Sequence, residues 1–140
     1  MPETNIDTVV KHYLIAALWS SVDDDGNPLD DDKCVDDVAP ETVAQAKKDC
    51  QDFIDAAGPE LVTTMLAHYR DSGMSRHPDT GSADACFGHD FLLTRNRHGV
   101  GFWDRGAGET GDALAKICHR NRRSREVDFY VGADGRVYSD

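Results

Sequence analysis

Between positions 23 and 37 the chain reads DDDGNPLDDDKCVDD, eight aspartates in fifteen residues around a Gly26-Asn27-Pro28 centre. Aspartate is a poor residue for a helix interior and is depleted from strands, and glycine and proline interrupt both, so this stretch forms neither a stable helix nor a central strand. Any fold must therefore leave it at the surface, as a loop or a short turn of helix. The same end of the chain holds all of the excess charge. Residues 1–60 contain 15 Asp and Glu against 4 Lys and Arg, a net of −11, whereas residues 61–140 contain 11 of each. A polyanion would be repelled by the first half, which is suited instead to a basic partner surface.

With 140 residues the chain is expected to form a single domain over 1–140, burying about two thirds of its unfolded surface. Its longest apolar run, from Tyr13 to Trp19, is far shorter than the roughly 20 residues of a membrane span. Glu3 and Asp7 stand where a secretory signal would be basic, which points to the cytosol of whatever cell makes the protein. Cys34, Cys50, Cys86 and Cys118 are scattered without a CxxC pair and read as reduced thiols, mostly buried.

Apolar spacing predicts a first helix over residues 6–20, with Thr4 or Asn5 as its cap and Trp19 closing its apolar face. A second helix runs from Pro40 to Gly58, and a third opens at Pro59 and is closed by Gly73. Residues 74–87, with Pro78 and Gly81, read as the longest loop. From Gly88 to Gly106 the polar tip TRNRHG lies between two short apolar runs, which is the pattern of a β-hairpin. A helix from about Gly111 to His119, capped by Thr110, then precedes a strand carrying Val127, Phe129 and Val131. The turn Ala133-Asp134-Gly135 leads to a last strand over 136–138. The expected fold is α+β in the order α-α-α-β-β-α-β-β. Its N-terminal helices pack on a small antiparallel sheet, an acidic helical part spans about 1–73, and a ββαββ scaffold spans about 88–138.

The aspartate loop offers the sharpest chemistry. An extended peptide advances about 3.3 Å per residue, close to the roughly 3.4 Å between charges along one DNA strand, so consecutive aspartates approach the charge density of a phosphate backbone. Asp23, Asp24, Asp25, Asp30, Asp31, Asp32, Asp36 and Asp37 are the candidate partner-binding residues. Asp49, Asp52 and Asp55 on the second helix form a second row. The plain alternative is a solvated loop that promotes solubility. An EF-hand register would put Gly26 at the glycine position with Asp23, Asp25 and Asp32 as ligands, but its first ligand would be Ser21. Cys86 and His89 have a zinc-like gap without a second pair. No metal and no cofactor are therefore expected.

His89, Asp90, His98, Asp104 and Glu109 could supply general acid and base to a small enzyme, yet no activated nucleophile, GxxxxGK or HExxH accompanies them. These histidines are expected to lock the hairpin, and Arg95 and Arg105 to pair with Asp90, Asp104 or Glu109. Arg95, Asn96 and Arg97, together with the cluster Arg120, Arg122, Arg123 and Arg125, raise the possibility of nucleic-acid contact. Without interleaved aromatics, the cluster reads as a solvated or ion-paired edge, with no direct nucleic-acid binding.

The run GHDFLLTRNRHGVGFWDRG and the tail EVDFYVGADGRVY resemble a group of small phage and prophage proteins associated with type I-C anti-CRISPR proteins of the acidic, DNA-mimicking kind. The likeness covers about residues 40–138, and the pattern has Trp where this chain has Leu92 and Gly where it has Arg97. The resemblance implies a non-catalytic inhibitor, acting as a monomer, that occupies the positively charged groove of the DNA-binding subunits of a type I-C CRISPR complex. An acidic interaction protein for another DNA-binding host factor is the neighbouring expectation.

Overall fold

Asn5 begins the first helix by accepting the Thr8 amide at 3.2 Å, and Val9, Val10, Tyr13, Leu14, Ala16, Ala17 and Leu18 are buried along it. This is α1, Ile6–Ser20, in a computed structural model that describes residues 5–76, 81–121 and 125–140. Thr4, Pro78, Arg122 and Arg123 lie outside the described residues. The helix Pro40–Ala57, α2, buries Thr42, Ala46, Cys50 and Phe53, one stripe at helical spacing, and ends at Gly58. Pro59 occupies the first turn of α3, Pro59–Asp71, where its missing N–H leaves no hydrogen bond unmade. Val62, Met65, Leu66 and Tyr69 form its buried side.

The expected central hairpin is replaced by helix. Ser82 caps α4, Ala83–Arg95, by accepting the Ala85 amide at 3.1 Å, with Asp84 in the first turn. The expected loop over 74–87 is shortened accordingly. Only Asp84 and His89 of the thirteen residues of α4 escape burial. A helix surrounded on almost every side has no polar face, so its apolar residues show no 3.6-residue period, and short apolar runs then look like strands. The second apolar run, too, is not a strand: Phe102–Asp104 is a single 3-10 turn with Phe102 fully buried. The ββαββ scaffold is thus corrected to two helices and one hairpin.

Gly88 is the reason α4 can lie at the centre. A Cβ added there would stand 2.3 Å from the Val9 carbonyl oxygen, so α1 and α4 approach at backbone distance. Gly111 plays the same part in α5, Glu109–Arg120, where a Cβ would meet the Phe102 carbonyl oxygen at 2.3 Å. Phe53 stacks on Phe91 with centroids 4.4 Å apart and lies 5.7 Å from Phe102, while Phe87 approaches Phe102 at 5.1 Å. This aromatic cluster joins α2, α4 and the 3-10 turn into one core.

The chain closes with a two-stranded antiparallel sheet. β1, Phe129–Val131, and β2, Val137–Ser139, pair Phe129 with Ser139 and Val131 with Val137. Phe129 and Val137 point into the core. Val38 joins Val137 as a parallel bridge, and the Ala39 amide donates to the Val137 carbonyl at 2.9 Å. The far end of the aspartate loop is thereby tied to the last strand. The α+β class, the three leading helices and the C-terminal pair of strands agree with the sequence reading.

Candidate partner-binding surface

The aspartate loop is anchored at both ends and in its middle. Val22 and Pro28 form an antiparallel bridge, and the Leu29 amide donates to the Ser21 carbonyl at 2.9 Å, so residues 22–28 make a tight reversal. Leu29, only 2% exposed, pins the 3-10 turn Leu29–Asp31 to the core. Val35, half-buried against the core, does the same for the turn Val35–Asp37.

Two of the eight loop aspartates serve this architecture. Asp23 Oδ1 accepts the amides of Asp25 and Asn27, each at 2.9 Å, as an Asx turn does. Asp37 Oδ2 accepts the Cys34 amide at 2.8 Å, and that backbone hydrogen bond holds its carboxyl below the usual carboxylate range. Asp24, Asp25, Asp30, Asp31, Asp32 and Asp36 are left exposed, and none of them is ion-paired among the described residues. Because the loop backbone is already held by hydrogen bonds and buried anchors, a partner that met these carboxylates would have to order their side chains but not the backbone beneath them.

The second row divides differently. Asp49 accepts from Arg95 at 2.9 Å, with 12% and 3% of the two side chains exposed, so Asp49 belongs to the interior rather than to an acidic face. Asp52 meets Lys48 at 3.0 Å, and Asp55 accepts from Gln51 Nε2 at 2.9 Å. Asp49 and Asp52 border a groove of about 570 Å³ between α2 and the C-terminal segment, opposite Arg125 and Tyr138. Asp30 and Asp36 border another depression, over Lys11, Ile15 and Leu18 of α1. The loop and the helix row thus line different depressions.

Apolar residues beside the loop were not among the candidates. Trp19 is 37% exposed and Val22 59%, so Trp19 does not close the apolar face of α1. Its indole stands edge-on to His98 with centroids 5.5 Å apart. Their place in the sequence immediately before three aspartates was the available signal, since aromatic anchors beside charged rims recur in interfaces.

The acid-base candidates do not converge. Asp90, 1% exposed, is gripped by Arg105 through Nη2 at 2.7 Å and Nε at 3.0 Å, and Tyr69 donates its hydroxyl to the other oxygen. Burial raises the Asp90 carboxyl, against the opposing pull of Arg105. The Arg105 pairing agrees with the sequence reading, whereas Arg95 pairs with Asp49 instead. His89 of α4 faces His12 of α1, with ring nitrogens 3.3 Å apart, and Asp104 and Glu109 are exposed. Cys86 is buried, its Sγ 3.6 Å from the Met74 carbonyl oxygen, and no group of three or more His, Cys, Asp or Glu among the described residues could hold a metal. Nor is any helix among the described residues long and apolar enough to cross a membrane. Comparisons with protein-family models, curated proteins and solved structures find no match.

Proposed function

We propose that the protein is a non-catalytic acidic inhibitor that presents the loop between α1 and α2 to a basic, DNA-binding groove of a partner, imitating a phosphate chain. The finer identification is the one the sequence resemblance implies, an anti-CRISPR protein acting on the DNA-binding subunits of a type I-C surveillance complex in the bacterial cytoplasm. The observation carrying the reading is the set of six unpaired, exposed carboxylates on a backbone fixed by Leu29, Val38 and its own hydrogen bonds. A solubility loop has no need of such anchoring. A surface meant to lie in a nucleic-acid groove gains from it, because little backbone entropy is lost on docking.

The primary contacts are then Asp24, Asp25, Asp30, Asp31, Asp32 and Asp36, with Asp23 and Asp37 holding the loop and Trp19 and Val22 as an apolar margin. The test is binding to purified type I-C surveillance complex, and displacement of its target DNA, at low and high salt. Replacing Asp30, Asp31 and Asp32 together by Asn should weaken binding, and the wild-type affinity should fall steeply as salt rises. Unchanged inhibition after neutralising both this triplet and Asp24 with Asp25 would remove the loop from the interface. A salt-sensitive pull-down of a different DNA-binding host protein would keep the mechanism and change the target.

A further inference from the structure

We propose that the cleft between the C-terminal ends of α4 and α5 binds a phosphate group. Arg97, His119, Arg120, Arg125 and Glu126 line it over the buried Arg95, enclosing about 460 Å³, within the range of small-ligand sites. Its walls are tied together by specific hydrogen bonds. Arg95 Nε donates to the Arg125 carbonyl at 2.8 Å, and Asn96 clamps Val127 by accepting its amide at 2.8 Å and donating to its carbonyl at 3.0 Å. His119 Nε2 bonds the Thr94 carbonyl at 2.9 Å, taking up an oxygen at the end of α4 that would otherwise repel an anion.

The charge in the cleft is only partly neutralised among the described residues. Asp49 meets Arg95, and Glu126 meets Arg97 only in an exposed pair at 3.5 Å, whereas Arg120 and Arg125 have no ion pair among the described residues. A planar guanidinium fork pairs with carboxylate and phosphate alike, but the Glu126 contact is long and exposed, so a more highly charged phosphate can compete with Glu126 for Arg97. Among the described residues His119 is the one aromatic ring lining the cleft, which favours recognition of phosphate rather than of bases.

Arg97 supplies a second, independent observation. Its φ is +53°, the one positive value at a non-glycine among the described residues, and the His98 amide donates to the Leu93 carbonyl at 3.0 Å to close the helix end. Glycine is the residue that suits this helix-terminating position, and an arginine there is strained. The chain keeps a side chain with a Cβ where the backbone suits glycine, and an outlier of that kind points to a role for the side chain itself.

The experiment titrates full-length protein with inorganic phosphate, pyrophosphate and a short single-stranded thymidylate oligonucleotide at constant ionic strength, with chloride as control. The readouts are melting temperature and the arginine Nε–H resonances. Pyrophosphate or the oligonucleotide should raise the melting temperature and shift the Arg97, Arg120 and Arg125 signals. Arg97→Gly should melt about 3 °C higher through relief of strain, yet bind about tenfold more weakly. Arg120→Gln should weaken binding without that gain in stability, and the Asp30, Asp31 and Asp32 triple Asn variant should bind at least as well as wild type. Preference for the oligonucleotide assigns a nucleic-acid backbone as the source, and equal binding of pyrophosphate assigns a small phosphate. Absence of a response to all three probes, or undiminished binding by Arg97→Gly, overturns the proposal.

Discussion

The Arg95 guanidinium at the end of α4 meets the Asp49 carboxylate of α2 at 2.9 Å, and the same nitrogen donates to the Tyr13 hydroxyl of α1 at 2.9 Å. One cation, stacked 5.8 Å over the Phe91 ring, thus joins three helices. Its partners explain why an arginine tolerates 4% exposure. Removing the carboxylate takes a close counter-ion from that buried charge, so Asp49→Ala should lower stability by about 3 kcal/mol in urea denaturation. Loss of less than about 1 kcal/mol would show that the pair is open to water.

Neutralising the loop should do the opposite. Asp30, Asp31 and Asp32 are exposed and unpaired, so their combined replacement by Asn should leave stability within about 1 kcal/mol of wild type or raise it by easing self-repulsion. A large loss of stability would assign those carboxylates a structural role and so weaken the interaction reading.

At Gly88 there is no room for a side chain, because the clash is with the backbone of Val9 rather than with a movable group. Gly88→Ala should destabilise by about 2–3 kcal/mol through forced separation of α1 and α4. A neutral effect, measured by chemical denaturation, would mean that the two helices can slide apart at little cost.

His12 gives a pH dependence of definite sign. Burial, with a smaller contribution from Lys11, lowers its folded pKa below 6.5, and His89 faces it at 3.3 Å. Between the folded and unfolded values the unfolded chain binds more protons, so stability is present above about pH 6.5 and falls as pH drops through that window. His12→Gln should flatten this part of the stability profile measured from pH 7 downward. An unchanged slope would assign the effect to other groups.

Thiol chemistry should single out one cysteine. Cys50, Cys86 and Cys118 are buried and Cys34 is exposed, and burial pushes Cys118 up to about 12 and Cys50 well above its ordinary value. A thiol reagent should therefore label Cys34 rapidly in the native protein and the other three only on unfolding. Rapid labelling of more than one thiol would show that the core opens locally.

How far the sequence could be read follows from where each signal resides. Pro40 and Pro59 at helix starts, Gly58 between two helices, and single apolar stripes on α2 and α3 are local features, and each element they mark is present. The hairpin reading of residues 88–106 went wrong because α4 is enclosed by α1, α3 and α5, so burial on nearly every side erased the periodicity that identifies a helix. The Ser82 cap and Asp84 in the first turn were the legible clues.

The composition of the aspartate loop alone determined that it lies at the surface, since no packing can bury eight clustered carboxylates without partners. Which carboxylates remain outward was decided at two ranges. Asp23 and Asp37 accept backbone amides two to four residues away, a local matter, whereas Asp49 became the counter-ion of a buried arginine because Arg95, 46 residues further on, reached it only once the helices had closed. Sequence patterning specifies what must face water or oil, residue by residue. Three-dimensional proximity decides which charges find each other, because pairing depends on distance between segments far apart along the chain.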